Sequence, residues 1–198
     1  MQNAKIILMG DKEVGKTSII NTFVTCKSSL QAKPTNMVED HIKMVDVNEN
    51  GVTTRLKLHI WDAAGDNNVH NLAHLFVKDV QVGIFVYGIN SLQSFKNLDA
   101  WQEHLEKENQ DYIVFLVGNK MDLEEQRAVS YAQGASKKRI TDKCVYFTET
   151  SAYSNVESIT NLFDEIGKAI VRKGCYQKNR GSIRLSKWAP IKLNMWLS

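Results

Sequence analysis

Gly10-Asp11-Lys12-Glu13-Val14-Gly15-Lys16-Thr17 places two glycines, an ammonium and a hydroxyl at the spacing of a loop that holds phosphate, G-x-x-x-x-G-K-[ST]. The apolar run Ile6-Ile7-Leu8-Met9 precedes it, and a helical pattern (Ile19, Ile20, Phe23, Val24) follows. In such a strand–loop–helix setting the glycines let successive N–H groups, from Lys12 and Glu13 through Val14 and Gly15 to Ser18, converge on phosphate oxygens. The helix N-terminus adds its positive end. Lys16 would reach the β- and γ-phosphates, and the Thr17 hydroxyl would hold magnesium.

Two later stretches address the base. Asn119-Lys120-Met121-Asp122 follows the apolar run 112–117, at the carboxyl edge where α/β sheets bind ligands. A carboxylate at Asp122 accepts from both N1–H and the 2-amino group of guanine. Adenine has neither donor and would leave it unpaired. Thr150-Ser151-Ala152, after the last apolar strand, would offer a backbone N–H to the guanine oxygen.

These residues need a sheet to carry them. Residues 41–47 and 55–61 flank Asn50-Gly51, a hairpin signal. Residues 82–87 and 112–117 are wholly apolar, as central parallel strands covered on both faces are, and 144–148 form a sixth strand. Leu92, Phe95, Leu98, Trp101 and Leu105 lie near one helical face, 128–139 predict a helix, and Val156 to Ile170 mark a last amphipathic one. The pattern predicts a doubly wound α/β fold: six mostly parallel strands with helices on both faces.

The 198 residues suit one domain of ordinary soluble composition. Cys26, Cys144 and Cys175 form no disulfide framework and fit a reducing compartment. No run approaches the ~20 apolar residues of a membrane span, and neither a signal peptide nor an N-myristoylation pattern is present. Charge is uneven. Residues 172–198 hold seven of the 25 Lys and Arg and none of the 22 Asp and Glu, so a mildly acidic body ends in a basic tail. His70 and His74, four apart, have no third metal ligand in view, and nothing resembles a nucleic-acid-binding module.

Taken in order, GDKEVGKT, Pro34-Thr35, WDAAG at 61–65, NKMD at 119–122 and ETSA at 149–152 resemble a Ras-superfamily small GTPase over residues 4–171. IWD before AAG and SFKNLDAW at 94–101 are most similar to the Rab branch. The resemblance implies a P-loop G domain over 1–171 that binds GTP and GDP with magnesium. Thr17 and Thr35 would be metal ligands, with Asp62 acting through water. Gly65 would sense the γ-phosphate, and Lys16, Thr35, Gly65 and residue 66 would form the hydrolytic set. Residues near 28–40 and 63–76 would be the switches. Effectors, an exchange factor and a GTPase-activating protein are the partners it implies.

Four departures bear on function. The family's water-orienting Gln falls at Asp66, which cannot donate a hydrogen bond and would repel the γ-phosphate, so slow hydrolysis is expected. Lys12 and Glu13 replace small residues; Lys12 would sit at the γ-phosphate or extend into solvent, and Glu13 brings negative charge. Ser28 stands where an aromatic usually packs on guanine, and Tyr153 where Lys is usual; the Tyr153 ring could cover the base instead. The tail 172–198 has no C-terminal prenylation cysteine but mixes Lys and Arg with Ile183, Leu185, Trp188, Ile191, Leu193, Trp196 and Leu197. It suits a membrane interface or a solvated, partner-bound segment equally. The sequence predicts a Rab-like switch in vesicle traffic, cytoplasmic or peripheral on endomembranes. The competing reading is a non-hydrolysing scaffold, and use of ATP is opposed by Asp122.

Overall fold

A computed structural model describes residues 2–28, 38–63, 77–109, 111–140, 143–174 and 177–178. Strand β1 (Gln2–Met9) runs into the phosphate-loop residues, which open helix α1 (Lys16–Thr25). A hairpin of β2 (Glu39–Glu49) and β3 (Val52–Asp62) turns at Asn50 and Gly51, with φ of 52° and 77°. Two successive left-handed residues are what a tight hairpin demands, and Asn-Gly supplies them with little strain. Then come β4 (Val82–Gly88), α2 (Leu92–Lys96), α3 (Leu98–Glu108), β5 (Ile113–Asn119) and a 3-10 turn (Met121–Gln126). Helix α4 (Tyr131–Ile140), β6 (Cys144–Glu149), α5 (Val156–Lys173) and a two-residue β7 (Gln177–Lys178) complete the chain.

The strand order is β2-β3-β1-β4-β5-β6, parallel throughout except for the β2–β3 hairpin, with β7 antiparallel to the start of β1. Alternation along β1 assigns its two faces. Ala4, Ile6 and Leu8 join the core under α1 and α5, whereas Ile7 and Met9 join the core under α3. Phe23 of α1 stacks on Phe163 of α5 with ring centroids 3.7 Å apart. The parallel strands end together, so β1, β4, β5 and β6 present their following loops at one carboxyl edge.

Three differences from the sequence reading have local causes. The apolar face from Leu92 to Leu105 is split between α2 and α3 at Asn97, whose Nδ2 donates to Asp11 Oδ2 in the loop after β1. The helix expected over 128–139 starts at Tyr131, because Ser130 and Gln133 form a reciprocal capping box: Gln133 N–H donates to Ser130 Oγ (3.2 Å) and Ser130 N–H to Gln133 Oε1 (2.7 Å). Ala128 and Val129 instead donate their N–H groups to Ile89 O. At the far end, α5 carries on to Lys173 with a left-handed Gly174 cap, and Arg172 pairs with Glu49. The first basic residues after 171 are thus tied to the folded body.

Candidate nucleotide site

The loop after β1 has the backbone its glycines predict. Gly10 and Gly15 lie at φ 148° and 97°. A Cβ on Gly15 would come within 2.2 Å of Asn119 Nδ2, so the loop passes too close to the β5 edge for any side chain there. Glu13 also adopts a left-handed conformation (φ 63°) without being glycine, which costs about 1 kcal/mol or more. Lys12 and Glu13 are exposed. Val14 is buried, and Ser18, in the first turn of α1, is half-buried beside Thr17.

Lys16 folds back along its own loop. Its Nζ donates to Gly10 O and Asp11 O, both at 2.8 Å, and the residue is only 6% exposed. Burial pushes its pKa down to about 8, against the opposing pull of Asp62 and Asp11. Thr17 Oγ1 donates to Asp62 Oδ2 at 2.5 Å, and Asp62 is fully buried at the end of β3. A hydroxyl and a carboxylate side by side are hard oxygen donors of the kind magnesium takes, so this pair fits that ion. The ammonium beside them, and the loop N–H groups at the start of α1, fit a polyphosphate.

On the second side of the site, Asn119 is a strut: its Nδ2 donates to Val14 O (2.9 Å), and its Oδ1 accepts from Thr150 Oγ1 (3.1 Å). One buried amide thereby joins the phosphate loop, the β5 edge and the β6 edge. Lys120, half-buried, is left-handed (φ 70°) and turns the chain outward, which leaves Asp122 exposed at the rim. Ser151 Oγ donates to Asp122 Oδ1, and Ser154 N–H in turn donates to Ser151 Oγ at 3.0 Å. Among the Thr150–Ala152 amides, Thr150 N–H is used by Gly118 O (2.8 Å) and Ser151 N–H by Ser158 Oγ (3.2 Å). Ala152 is buried, and its carbonyl accepts from Thr22 Oγ1 at 3.1 Å. Tyr153 beside it is 55% exposed.

Lys16, Thr17, Asp62, Asn119, Asp122, Ser151 and Ala152 therefore come to one edge from four separate segments. Thr35, Gly65 and Asp66 lie outside the described residues, as do His70, His74 and the tail from 179 onward. Ser28 is described and exposed. Residues that motif reading passed over also support the site. Asp11 Oδ2 accepts from Asn97 Nδ2 (2.7 Å) and its Oδ1 from Trp101 Nε1 (2.8 Å), which pins the phosphate loop to α3. A buried Trp has a polar N–H to place, and that requirement was the one available signal. No helix among the described residues is long and apolar enough to cross a membrane.

Comparison with known proteins agrees with this geometry. The model of the Ras family matches residues 5–172. The Ras-related protein Rab-17 of Mus musculus is 32% identical over 193 residues, covering 96% of this chain and 85% of that protein. Human Rab-17 is 32% identical, with 92% and 89% covered. The Ras-related protein Rab5 of Nicotiana tabacum is 31% identical over 182 residues, covering 91% of this chain and 88% of its own. The fold is that of a P-loop G domain. This chain belongs to the Ras family, among its divergent Rab-like members, as a guanine-nucleotide-binding switch protein.

Proposed function

We propose that the chain is a magnesium-dependent GTP/GDP switch in vesicle traffic whose intrinsic hydrolysis is slow. The observation that carries the guanine reading is the Asp122–Ser151 pair at the ends of β5 and β6, with Asn119 bridging to the phosphate loop. A base with adjacent N–H donors satisfies this pair; adenine would leave the Asp122 carboxylate without its donors.

Lys16 would exchange its two loop carbonyls for phosphate oxygens without leaving its burial, since the loop already places Nζ at its centre. Thr17, Thr35 and Asp62 would hold magnesium, which when bound neutralises charge on the β- and γ-phosphate oxygens. The loop amides from Glu13 to Ser18 orient the phosphates, and Gly65 N–H would report the γ-phosphate to the second switch. In hydrolysis, water attacks the γ-phosphorus and GDP leaves. The chain's contribution to that step is positional: Lys16 and the loop amides take up charge on the transferred group, whereas Asp66 cannot donate to the phosphate while accepting from the water as Gln does. The two switches would be ordered by GTP for effectors, with exchange factor and GTPase-activating protein as regulators by family likeness. The basic tail is proposed to make peripheral membrane contact.

The test is the nucleotide carried by purified protein, followed by single-turnover GTP hydrolysis with magnesium in wild type and Asp66→Gln. Bound guanine nucleotide, slow decay to GDP and faster decay in the variant support the switch. Protein that carries no guanine nucleotide and takes none up refutes it. A second reading is a non-hydrolysing scaffold that either holds GTP persistently, which bound but never-decaying GTP would support, or binds nucleotide poorly, which very weak binding would support and the left-handed Glu13 at the phosphate loop favours.

A further inference from the structure

We infer that Arg127 is a positioning residue for guanine discrimination, clamping the turn that carries Asp122 to the strand end that carries Ser151; this rests on the guanine-binding reading above. The guanidinium has five N–H donors, and the structure gives each an acceptor. Nε and Nη2 donate to Glu124 Oε1 and Oε2 at 2.8 and 2.6 Å. Nη1 and Nη2 donate to Glu149 Oε1 and Oε2 at 2.7 and 2.8 Å, and Nη1 also donates to Val129 O at 2.9 Å. Glu124 is two residues beyond Asp122 in the 3-10 turn, and Glu149 is the last residue of β6, two before Ser151.

The two segments are therefore joined at both ends. Ser151 Oγ bonds Asp122 on the ligand side, and Met121 N–H donates to Thr150 O at 3.0 Å. Glu124–Arg127–Glu149 closes the ring behind them. Without this rear closure, the bonds among the described residues from the Asp122 turn to the β6 end would be one hydroxyl and one backbone bond at an exposed rim, leaving the carboxylate freer to tilt. Only a planar, bidentate cation can serve two carboxylates and a carbonyl together. Glu149 explains why the clamp is strong: its side chain is 7% exposed, so Arg127 is the counter-charge of a buried acid, while the Glu124 side chain is 64% exposed and available to hold the turn.

Asp122 meets the 2-amino group of guanine and inosine lacks it, so the GDP-to-IDP affinity ratio reads Asp122 placement. Wild type should prefer GDP by roughly 10- to 100-fold. Glu124→Ala removes the exposed arm and leaves no buried charge; Arg127→Met with Glu149→Gln removes the clamp together with the acid it neutralises. Equilibrium competition against a fluorescent guanine nucleotide gives the ratio in each. Positioning predicts that the ratio falls about threefold or more in Glu124→Ala and further in the double variant, beyond any common loss of affinity. GDP and IDP weakening in step, with the ratio unchanged in both variants, would overturn the inference alone. Wild-type protein that binds neither nucleotide would overturn the guanine reading and this inference with it.

Discussion

Asp11→Ala should destabilise the protein by about 2–4 kcal/mol, because the Asp11 carboxylate accepts two side-chain hydrogen bonds and bonds to a charged partner contribute ~1.5–3 kcal/mol each, reduced here by partial exposure. The apolar area lost is negligible, so the effect isolates the polar bracket between the phosphate loop and α3. Asp11→Asn makes a sharper comparison. Trp101 Nε1 can only donate, so the new amide must turn its oxygen to the indole and its NH2 to Asn97. Asn97 can accept by flipping, and Gln93, now bonded to Asn97 Oδ1 at 2.8 Å, can flip in turn. Two neutral bonds then replace two charge-assisted ones, and the cost drops to roughly 1 kcal/mol. Urea unfolding followed by circular dichroism gives the energies, and a double-mutant cycle with Trp101→Phe apportions the indole bond. Since the Asp11 carboxylate pins the phosphate loop to α3, Asp11→Ala should release GDP faster as well. An Asp11→Ala protein within 0.5 kcal/mol of wild type would refute the bracket, that threshold being about the error of such measurements.

Gly15→Ala should abolish tight nucleotide binding in a fluorescent-nucleotide titration, since its Cβ would overlap Asn119 Nδ2 at 2.2 Å and break the Asn119–Val14 strut. Glu13→Gly should raise stability by about 1 kcal/mol by relieving a left-handed side chain, and should slow nucleotide release, measured by displacement. In nucleotide-stripped protein the depressed pKa of Lys16, about 8 against 10.5 unfolded, means that the unfolded chain holds a proton the folded one has lost between those values. Stability should therefore rise with pH across that window, the full penalty being present below pH 8. Lys16→Met should remove much of this rise and stabilise the stripped protein at neutral pH while ending GTP binding; buried Lys5, also lowered to about 8, supplies the remainder. An unchanged pH profile in Lys16→Met would count against a buried ammonium.

Local chemistry determined a great deal here. Gly10, Gly15, Lys16 and Thr17 dictate a phosphate loop because backbone curvature, charge and hydroxyl are all specified within eight residues. The apolar runs of β4 and β5 read as central strands because both of their faces are covered, and Asn50-Gly51 dictated the hairpin through its φ preference alone. Asn119 and Asp122 were legible because they follow a strand end at fixed spacing. The tertiary structure decided whatever depends on groups distant in the chain. Asn97 interrupts a continuous helical face where its amide reaches Asp11, 86 residues away, which periodicity cannot register. Arg127 belongs to no sequence motif, and only folding sets Glu149, 22 residues on, against its second edge. Lys16 acquired its depressed pKa only once the loop closed around it and removed water from its ammonium. Side chains declare their donors and acceptors in sequence, but a hydrogen bond or a desolvation cost belongs to a pair or an enclosure, and those exist only after the chain has packed.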